Sequence, residues 1–265
     1  MSELSLTLSE NNVGCYVKTD LKNINDSQVR EIKKLLDKYG VLFFKEQNLN
    51  PQEYINFSSH FGRPAEYPML KPHKDFKNIY VIERKKSDTG KNFGEGPHTD
   101  SSYLAEPPRY TLLQAINVPE EGKGNTLFYN QFLAYDALPD NIKKKIQNLK
   151  GIFSSQGKIA QTRKLRMADH GTSGTKEIRS EHNLVQLING RKTIYCSPGH
   201  VVGIVNLSSE QKKFLNFLTS HQIKEKFSFS FGWKKGDIAL WSNRSMLHAA
   251  TAFNGNRKMF RITIQ

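Results

Sequence analysis

The sequence predicts a mainly β domain, a sandwich or barrel with flanking helices packed outside it. Two patterns point there. Short runs rich in β-branched and aromatic residues recur at near-regular spacing along the 265 residues, bounded by Gly, Pro and Asn. Two amphipathic stretches near the N-terminus, and a few later ones, carry the 3.6-residue period of surface helices. A hydrophobic content of 37% with 11% aromatics is enough for a core and too rich for a disordered chain. No repeat, low-complexity tract or linker interrupts it, so residues 1–265 are expected to form one domain.

In chain order, Asn12 to Thr19 reads as a first strand. A helix follows from about Asp26, with Val29, Ile32, Leu35, Leu36 and Tyr39 on one face. Asn25 or Asp26 would cap it and Gly40 would end it. Val41 to Lys45 is a short apolar strand. Asn50-Pro51 offers a cap followed by Pro at the first helical position, with Tyr54, Phe57 and Phe61 turned inward and Gly62 as the stop. The prolines of 63–77 make that stretch a loop, and Asn78 to Glu83 is a strand. Lys85 to Gly96 is polar and glycine-dotted. Tyr110 to Val118 and Thr126 to Tyr129 are strands, and Phe132 to Leu138 and Asn141 to Leu149 are short helices split by Pro139. Gln156 to His182 has no clear period and is expected to be a lid or insert. Strands resume at Leu184 to Leu187 and Thr193 to Cys196. A helix over Ser208 to Ser220 is followed by strands at Phe227 to Phe231, Asp237 to Trp241 and Met259 to Ile264.

Composition narrows the class. The longest apolar runs are far too short to span a bilayer, and the N-terminus lacks a basic, apolar leader. Cys15 and Cys196 form no disulfide framework. The expectation is a reduced, cytoplasmic protein with no membrane partner. A formal net charge of +14 is spread over scattered Lys pairs, several on the outer faces of expected helices. Steering of a small anion explains such a charge better than nucleic-acid binding, which is not expected.

The chemistry concentrates in His98-Thr99-Asp100. On an extended strand His98 and Asp100 share a face, giving an imidazole and a carboxylate side by side. A second His would complete the 2-His-1-carboxylate set of non-heme Fe(II) oxygenases, and His248 is the best candidate. Arg257 and Arg261 stand four apart across the last strand, so a period of two puts both guanidiniums on one face. An inward Arg needs an anion, and its planar fork suits a carboxylate. Thr126, at the start of a strand, could share that carboxylate.

These segments resemble the taurine dioxygenase/2,4-dichlorophenoxyacetate dioxygenase family of Fe(II)- and 2-oxoglutarate-dependent oxygenases. The likeness is carried by His98-Thr99-Asp100-Ser101-Ser102-Tyr103, Pro107-Pro108, Gly124 to Phe128, Ala134 to Leu138, Gly236 to Trp241, His248-Ala249-Ala250 and Arg257 to Ile264, in the family's order. It implies a double-stranded β-helix, a cupin-like jelly-roll. It implies iron held by His98, Asp100 and His248, with 2-oxoglutarate and O2 as cosubstrates. Thr126 and Arg257 would take the distal carboxylate of 2-oxoglutarate. Arg261 would bind the substrate's anionic group or support the cosubstrate. The outcome implied is hydroxylation of an unactivated C–H bond with release of succinate and CO2. Asp100 argues against halogenation, since halogenating relatives lack that carboxylate. Relatives form dimers or tetramers, so a homo-oligomer is the assembly expected by resemblance.

The taurine-specific pattern does not carry over: His73 falls beyond the place of the taurine-binding His, and Gly94 stands where an amide is expected. Candidate substrate contacts are Arg261, Lys71, Tyr67, Asn92, Ser101 and Tyr195, with His73 and Tyr103 as further pocket candidates. Lys71 with Arg261 favours a small anion: a sulfonate, sulfate ester, phosphonate or carboxylate. Desaturation, cyclisation or oxidative decarboxylation would use the same machinery. A non-catalytic cupin-like binding protein and a zinc hydrolase are the readings from other classes; the intact triad with Arg257 and Thr126 speaks against the first, and the second gives that pair no purpose.

Overall fold

Alternation of side chains along each strand decides what this protein buries where. The computed structural model describes residues 4–67, 70, 72–120, 122–160, 162, 176–206 and 211–265. Among them the chain runs through β1 (Ser5–Leu8), β2 (Cys15–Lys18), α1 (Asp26–Tyr39), β3 (Val41–Phe44), α2 (Pro51–Ser59), β4 (Tyr80–Arg84) and β5 (Tyr110–Asn117). It continues with β6 (Thr126–Asn130), α3 (Gln131–Asp136), α4 (Asp140–Ile146), β7 (Lys150–Ser154), β8 (Arg179–Asn183), β9 (Val185–Ile188), β10 (Arg191–Ile194) and β11 (Val201–Ile204). Last come α5 (Gln211–Gln222), β12 (Ser228–Phe231), β13 (Ile238–Ser242), β14 (Met246–Ala250) and β15 (Arg257–Ile264). Among the described residues no helix is long and apolar enough to cross a membrane.

The expected mainly β architecture with helices outside is what the chain adopts. A large sheet ordered β1-β2-β3-β13-β5-β15-β4 packs against a three-stranded sheet ordered β12-β6-β14. The helices cover the large sheet's other face. Leu42, Phe44, Leu112, Ile238, Leu240, Phe260 and Ile262 point to α1 and α2, and their neighbours Val41, Phe43, Leu113, Ala239, Trp241 and Met259 point between the sheets. Aromatic rings weld the two layers: Phe43 stacks on Phe231 at 4.4 Å between centroids and meets Phe128 edge-on at 5.5 Å. A second core, under α3 and α5, gathers Phe153, Leu184, Tyr195, Cys196 and Leu218.

Local signals explain the elements that position these layers. Asn25 and Gln28 form a reciprocal capping box at the start of α1, and Asn50 and Glu53 do the same for α2 with Pro51 inside the first turn. Val29, Ile32, Leu35 and Leu36 are all buried on one side of α1, each worth roughly 1.5–3 kcal/mol relative to exposure.

Five strands were not expected from the sequence: β1, β7, β8, β11 and β14. The stretch 156–182, expected to be irregular, ends in β8, which pairs antiparallel with β7 from Lys150↔Asn183 to Ser154↔Arg179. The rest of that expected lid lies largely outside the described residues, as does the start of the helix expected from Ser208. A further correction concerns the His98 segment, which is not a strand. His98 makes an isolated antiparallel bridge with His248, its N–H donating to the His248 carbonyl at 3.0 Å and its carbonyl accepting from the His248 N–H at 2.8 Å. Asp100 then opens a turn in which Ser101 takes a φ of +46° and its carbonyl accepts from the Leu104 N–H. Two backbone bonds to one residue of β14 are enough to fix His98, and the turn swings Asp100 back to the same point.

Candidate active site

The same alternation that builds the core builds the site. On β15, Met259 faces between the sheets, so Arg257 and Arg261 face there too. On β6, Phe128 is inward and carries Thr126 with it; on β14, Met246 is inward and carries His248. The β6–β14 register sets Phe128 opposite His248 and Thr126 opposite Ala250. The result is one cleft lined by His98, Asp100, Thr126, His248, Arg257 and Arg261, with Trp241, Leu113 and Phe93 as apolar walls. Its empty volume, open mouth included, is about 420 Å3.

His98, Asp100 and His248 each offer one ligand atom, and the three atoms lie within 4.8 Å of one another. All three residues are buried. The His98 Nε2 and His248 Nε2 atoms stand 3.9 and 3.6 Å from Asp100 Oδ1, too far for hydrogen bonds. The Nδ1–H of His98 donates to the Gly96 carbonyl at 2.9 Å, which leaves the lone pair on Nε2 facing the cleft. Burial pushes the His248 imidazole down to about 3, with the neighbouring His98 adding to the effect, so it is neutral near pH 7. Burial by itself would raise Asp100. Arg261, then His248 and His98, and a hydrogen bond from Thr111 outweigh it and hold the carboxylate well below the usual range. Two imidazoles and one ionised carboxylate converging on one point make a donor set that fits a divalent transition metal.

The two arginines do different things. Arg261 pairs with Asp100 Oδ1 at 2.9 Å, and its guanidinium lies 4.4 Å over the Tyr67 ring. Arg257 sits beside Thr126 in the cleft wall, with Phe253 5.7 Å from its guanidinium. The Thr126 hydroxyl accepts the Trp233 indole N–H at 3.0 Å. An indole N–H can only donate, so the hydroxyl's own hydrogen is left to point elsewhere.

A smaller chamber adjoins the triad, lined by Tyr67, Phe93, Ser101, Ile159, Thr162 and His200. Tyr67 and Ser101 are thus beside the His-Asp-His triad. Asn92 is buried in its loop, with Glu95 bonded to its N–H and its amide reaching the Thr251 carbonyl, and Tyr195 packs in the second core against Phe153 and His182; neither lines the chamber or the cleft. His73 packs on Phe76 and Phe260, Tyr103 stands 5.2 Å from His200, and Lys71 lies outside the described residues. His200, Thr111 and Trp233 were missed in the sequence. His200 follows Pro198-Gly199 without a motif, and its closeness to His98 depends on Gly199. A Cβ at Gly199 would meet His98 Cβ at 2.8 Å. Gly199→Ala is therefore expected to displace a ligand, weakening metal binding with an overpacking penalty of about 1–3 kcal/mol. Isothermal titration with Mn(II) beside a urea melt measures the two effects separately. Gly94, with φ +75°, leaves room for the His98 ring, 3.4 Å from where its Cβ would stand.

Jelly-roll layers, a facial His-Asp-His set and an inward arginine define a non-heme iron oxygenase that takes a keto acid. Comparison with known proteins carries this further: the sequence profile described as "Taurine catabolism dioxygenase TauD, TfdA family" matches residues 14–263, and the chain belongs to that family. The alpha-ketoglutarate-dependent 2,4-dichlorophenoxyacetate dioxygenase of Cupriavidus pinatubonensis is 27% identical over 270 residues, covering 91% of this chain and 89% of its own. Pentalenolactone F synthase of Streptomyces avermitilis is 25% identical, covering 87% and 82%. The crystal structure of a taurine dioxygenase from Burkholderia xenovorans superposes with a TM-score of 0.82 at 24% identity, over 99% of this chain and 91% of that one, and shares the fold. The protein is an α-ketoglutarate-dependent dioxygenase that uses Fe(II), 2-oxoglutarate and O2.

Proposed function

We propose that this dioxygenase hydroxylates an unactivated C–H bond of a small anionic molecule: a sulfonate, sulfate ester, phosphonate or carboxylate. Ferrous iron with 2-oxoglutarate and O2 supplies the oxidising power, consuming the keto acid to succinate and CO2. His98, Asp100 and His248 would hold the metal. Arg257 and the Thr126 hydroxyl would bind the distal carboxylate of 2-oxoglutarate, Arg257 as a fork of donors and Thr126 as a single donor aimed by Trp233. The observation that carries the reading is the placement of Arg257 and Thr126 in one cleft with the triad. The buried Trp241 and Leu113 and the half-buried Phe93 keep water off much of the cleft wall, which strengthens each charge-assisted contact.

The acceptor molecule would enter the chamber beside Ser101, Thr162 and His200, with Arg261 and Tyr67 at its edge. The Arg261 charge is taken up by Asp100, so support for an anionic substrate comes from the chain's excess of basic residues, which would draw anions in. The related pentalenolactone F synthase keeps a second reading in play, another oxidation in a biosynthetic sequence using the same residues. The test is an anaerobic titration of the Fe(II)/2-oxoglutarate enzyme with a panel of metabolites, following the visible charge-transfer band, then product mass spectrometry under O2. The proposal expects band shifts from anionic compounds and a product heavier by one oxygen atom. Turnover confined to neutral or cationic compounds would sink the substrate class, and a product lighter by two hydrogens would favour the second reading.

A further inference from the structure

We propose that Thr111 and Asn243 are positioning residues for the metal carboxylate, forming with Trp241 a one-way chain of buried hydrogen bonds that leaves Asp100 a single oxygen for the metal. This rests on reading His98, Asp100 and His248 as ligands. It adds a role for Thr111 and Asn243, which line neither the cleft nor the chamber, and a second one for the cleft-wall residue Trp241.

Each link is set by what its groups can donate. The Trp241 indole Nε1–H lies 3.1 Å from Asn243 Oδ1, and an indole N–H has no acceptor role. That fixes the flip of the Asn243 amide, whose Nδ2–H then donates to Thr111 Oγ1 at 2.9 Å. Thr111 has one hydrogen, and with its oxygen accepting from Asn243 that hydrogen goes to Asp100 Oδ2 at 2.6 Å. The last bond is short because the acceptor is an ionised carboxylate. Bonds aligned in one direction polarise one another, and here they run entirely out of water: Trp241, Thr111 and Asn243 are 1%, 0% and 1% exposed.

The consequence falls on the two carboxylate oxygens. Oδ2 is committed to Thr111, while Oδ1 faces both Nε2 atoms and Arg261. The carboxylate is thereby held for monodentate ligation through Oδ1, in the orientation that leaves other metal positions open for cosubstrates. The same turn also fixes the backbone between the two ligands. Thr99, which separates His98 from Asp100, donates its hydroxyl to the Asn243 carbonyl at 2.5 Å. Asn243 thus holds the His98–Asp100 segment twice, directly through its main-chain carbonyl and, by way of Thr111, through its side chain. The chain's other tryptophan, Trp233, directs Thr126 by the same device, so both of its tryptophans start hydrogen bonds that end on site residues.

The test uses full-length, metal-free protein and titrates Mn(II), reading free ion by its EPR signal, with 2-oxoglutarate present and with unfolding temperature measured in parallel. Wild type is expected to bind one ion. Thr111→Val keeps the shape and removes the donor, and Asn243→Asp turns the amide donor into an acceptor that competes for the Thr111 hydrogen. Both are expected to weaken Mn(II) binding by about 10–100-fold. Thr111→Ser, which restores the hydroxyl, is expected to return the affinity close to that of wild type. Thr111→Val and Asn243→Asp binding Mn(II) as tightly as wild type, whatever their unfolding temperatures, would overturn the positioning role. Wild type binding no Mn(II) would instead overturn the metal centre itself, and the proposal with it.

Discussion

Asp100→Ala is expected to destabilise the metal-free protein by about 3–5 kcal/mol, the range for removing one partner of a buried ion pair. Arg261 is the reason. It is 3% exposed, pairs with Asp100 at 2.9 Å, and would be left as an uncompensated buried charge. The double variant Asp100→Ala/Arg261→Met removes both charges and is expected to recover most of that loss in a urea melt while still failing to bind metal. A double variant no more stable than the single one would show that Arg261 does not depend on Asp100. The wild-type pH profile should carry the same pair. Asp100 is ionised in the folded state to lower pH than in the unfolded chain, so its stabilisation is complete above the unfolded value of about 3.9 and is lost on acidification through the folded value. His248, pushed down to about 3, acts in the same direction earlier. Below the unfolded histidine value of about 6.5 the unfolded chain binds the extra proton, so stability falls with pH across that window. Melting the metal-free protein from pH 7 to pH 4 should show a steady decline from His248, with the Asp100 loss added only below the unfolded Asp value of about 3.9, and a flat profile from pH 7 to pH 4 would contradict the burial of His248.

Arg257→Leu is expected to raise the KM for 2-oxoglutarate by two to three orders of magnitude, within the roughly 2–5 kcal/mol of a truncated buried charge contact. Thr126→Val should act in the same direction but less, on the order of 10-fold, since it removes one hydrogen bond to a charged group. Both are measured as succinate formed against 2-oxoglutarate concentration at saturating Fe(II). Neither change touches a proposed metal ligand, so Mn(II) affinity should hold while the cosubstrate KM moves. If Arg261→Met raised that KM and Arg257→Leu did not, the two arginines would have to exchange roles.

Some of this architecture was readable because its signals are local. The cap at Asn25, the buried stripe Val29–Ile32–Leu35–Leu36 and the stop at Gly40 all fall within 16 residues, and α1 occupies the expected span. Strands β5 and β13 announce themselves as apolar runs, being buried along nearly their whole length. The facing of Arg257 and Arg261 followed from a period of two on a single strand. Strand β14 was missed because Met246 to Ala250 is short and buried on both faces, so it shows no alternation. In β7 and β11, Gly151 and Gly203 dilute the pattern. The link from Asn243 to Thr111 spans 132 positions and has no local trace. The turn at Asp100 hid for another reason: His98-Thr99-Asp100 is equally compatible with a strand, and only the bridge to His248 and the positive φ of Ser101 set it apart.

The most direct trial of the account is a crystal structure of the protein grown without oxygen in Mn(II) and 2-oxoglutarate. The expected density shows one metal ion bound by His98 Nε2, Asp100 Oδ1 and His248 Nε2, with the far carboxylate of the keto acid on Arg257 and Thr126. Metal bound at other side chains, or a keto acid whose far end avoids Arg257, would contradict it.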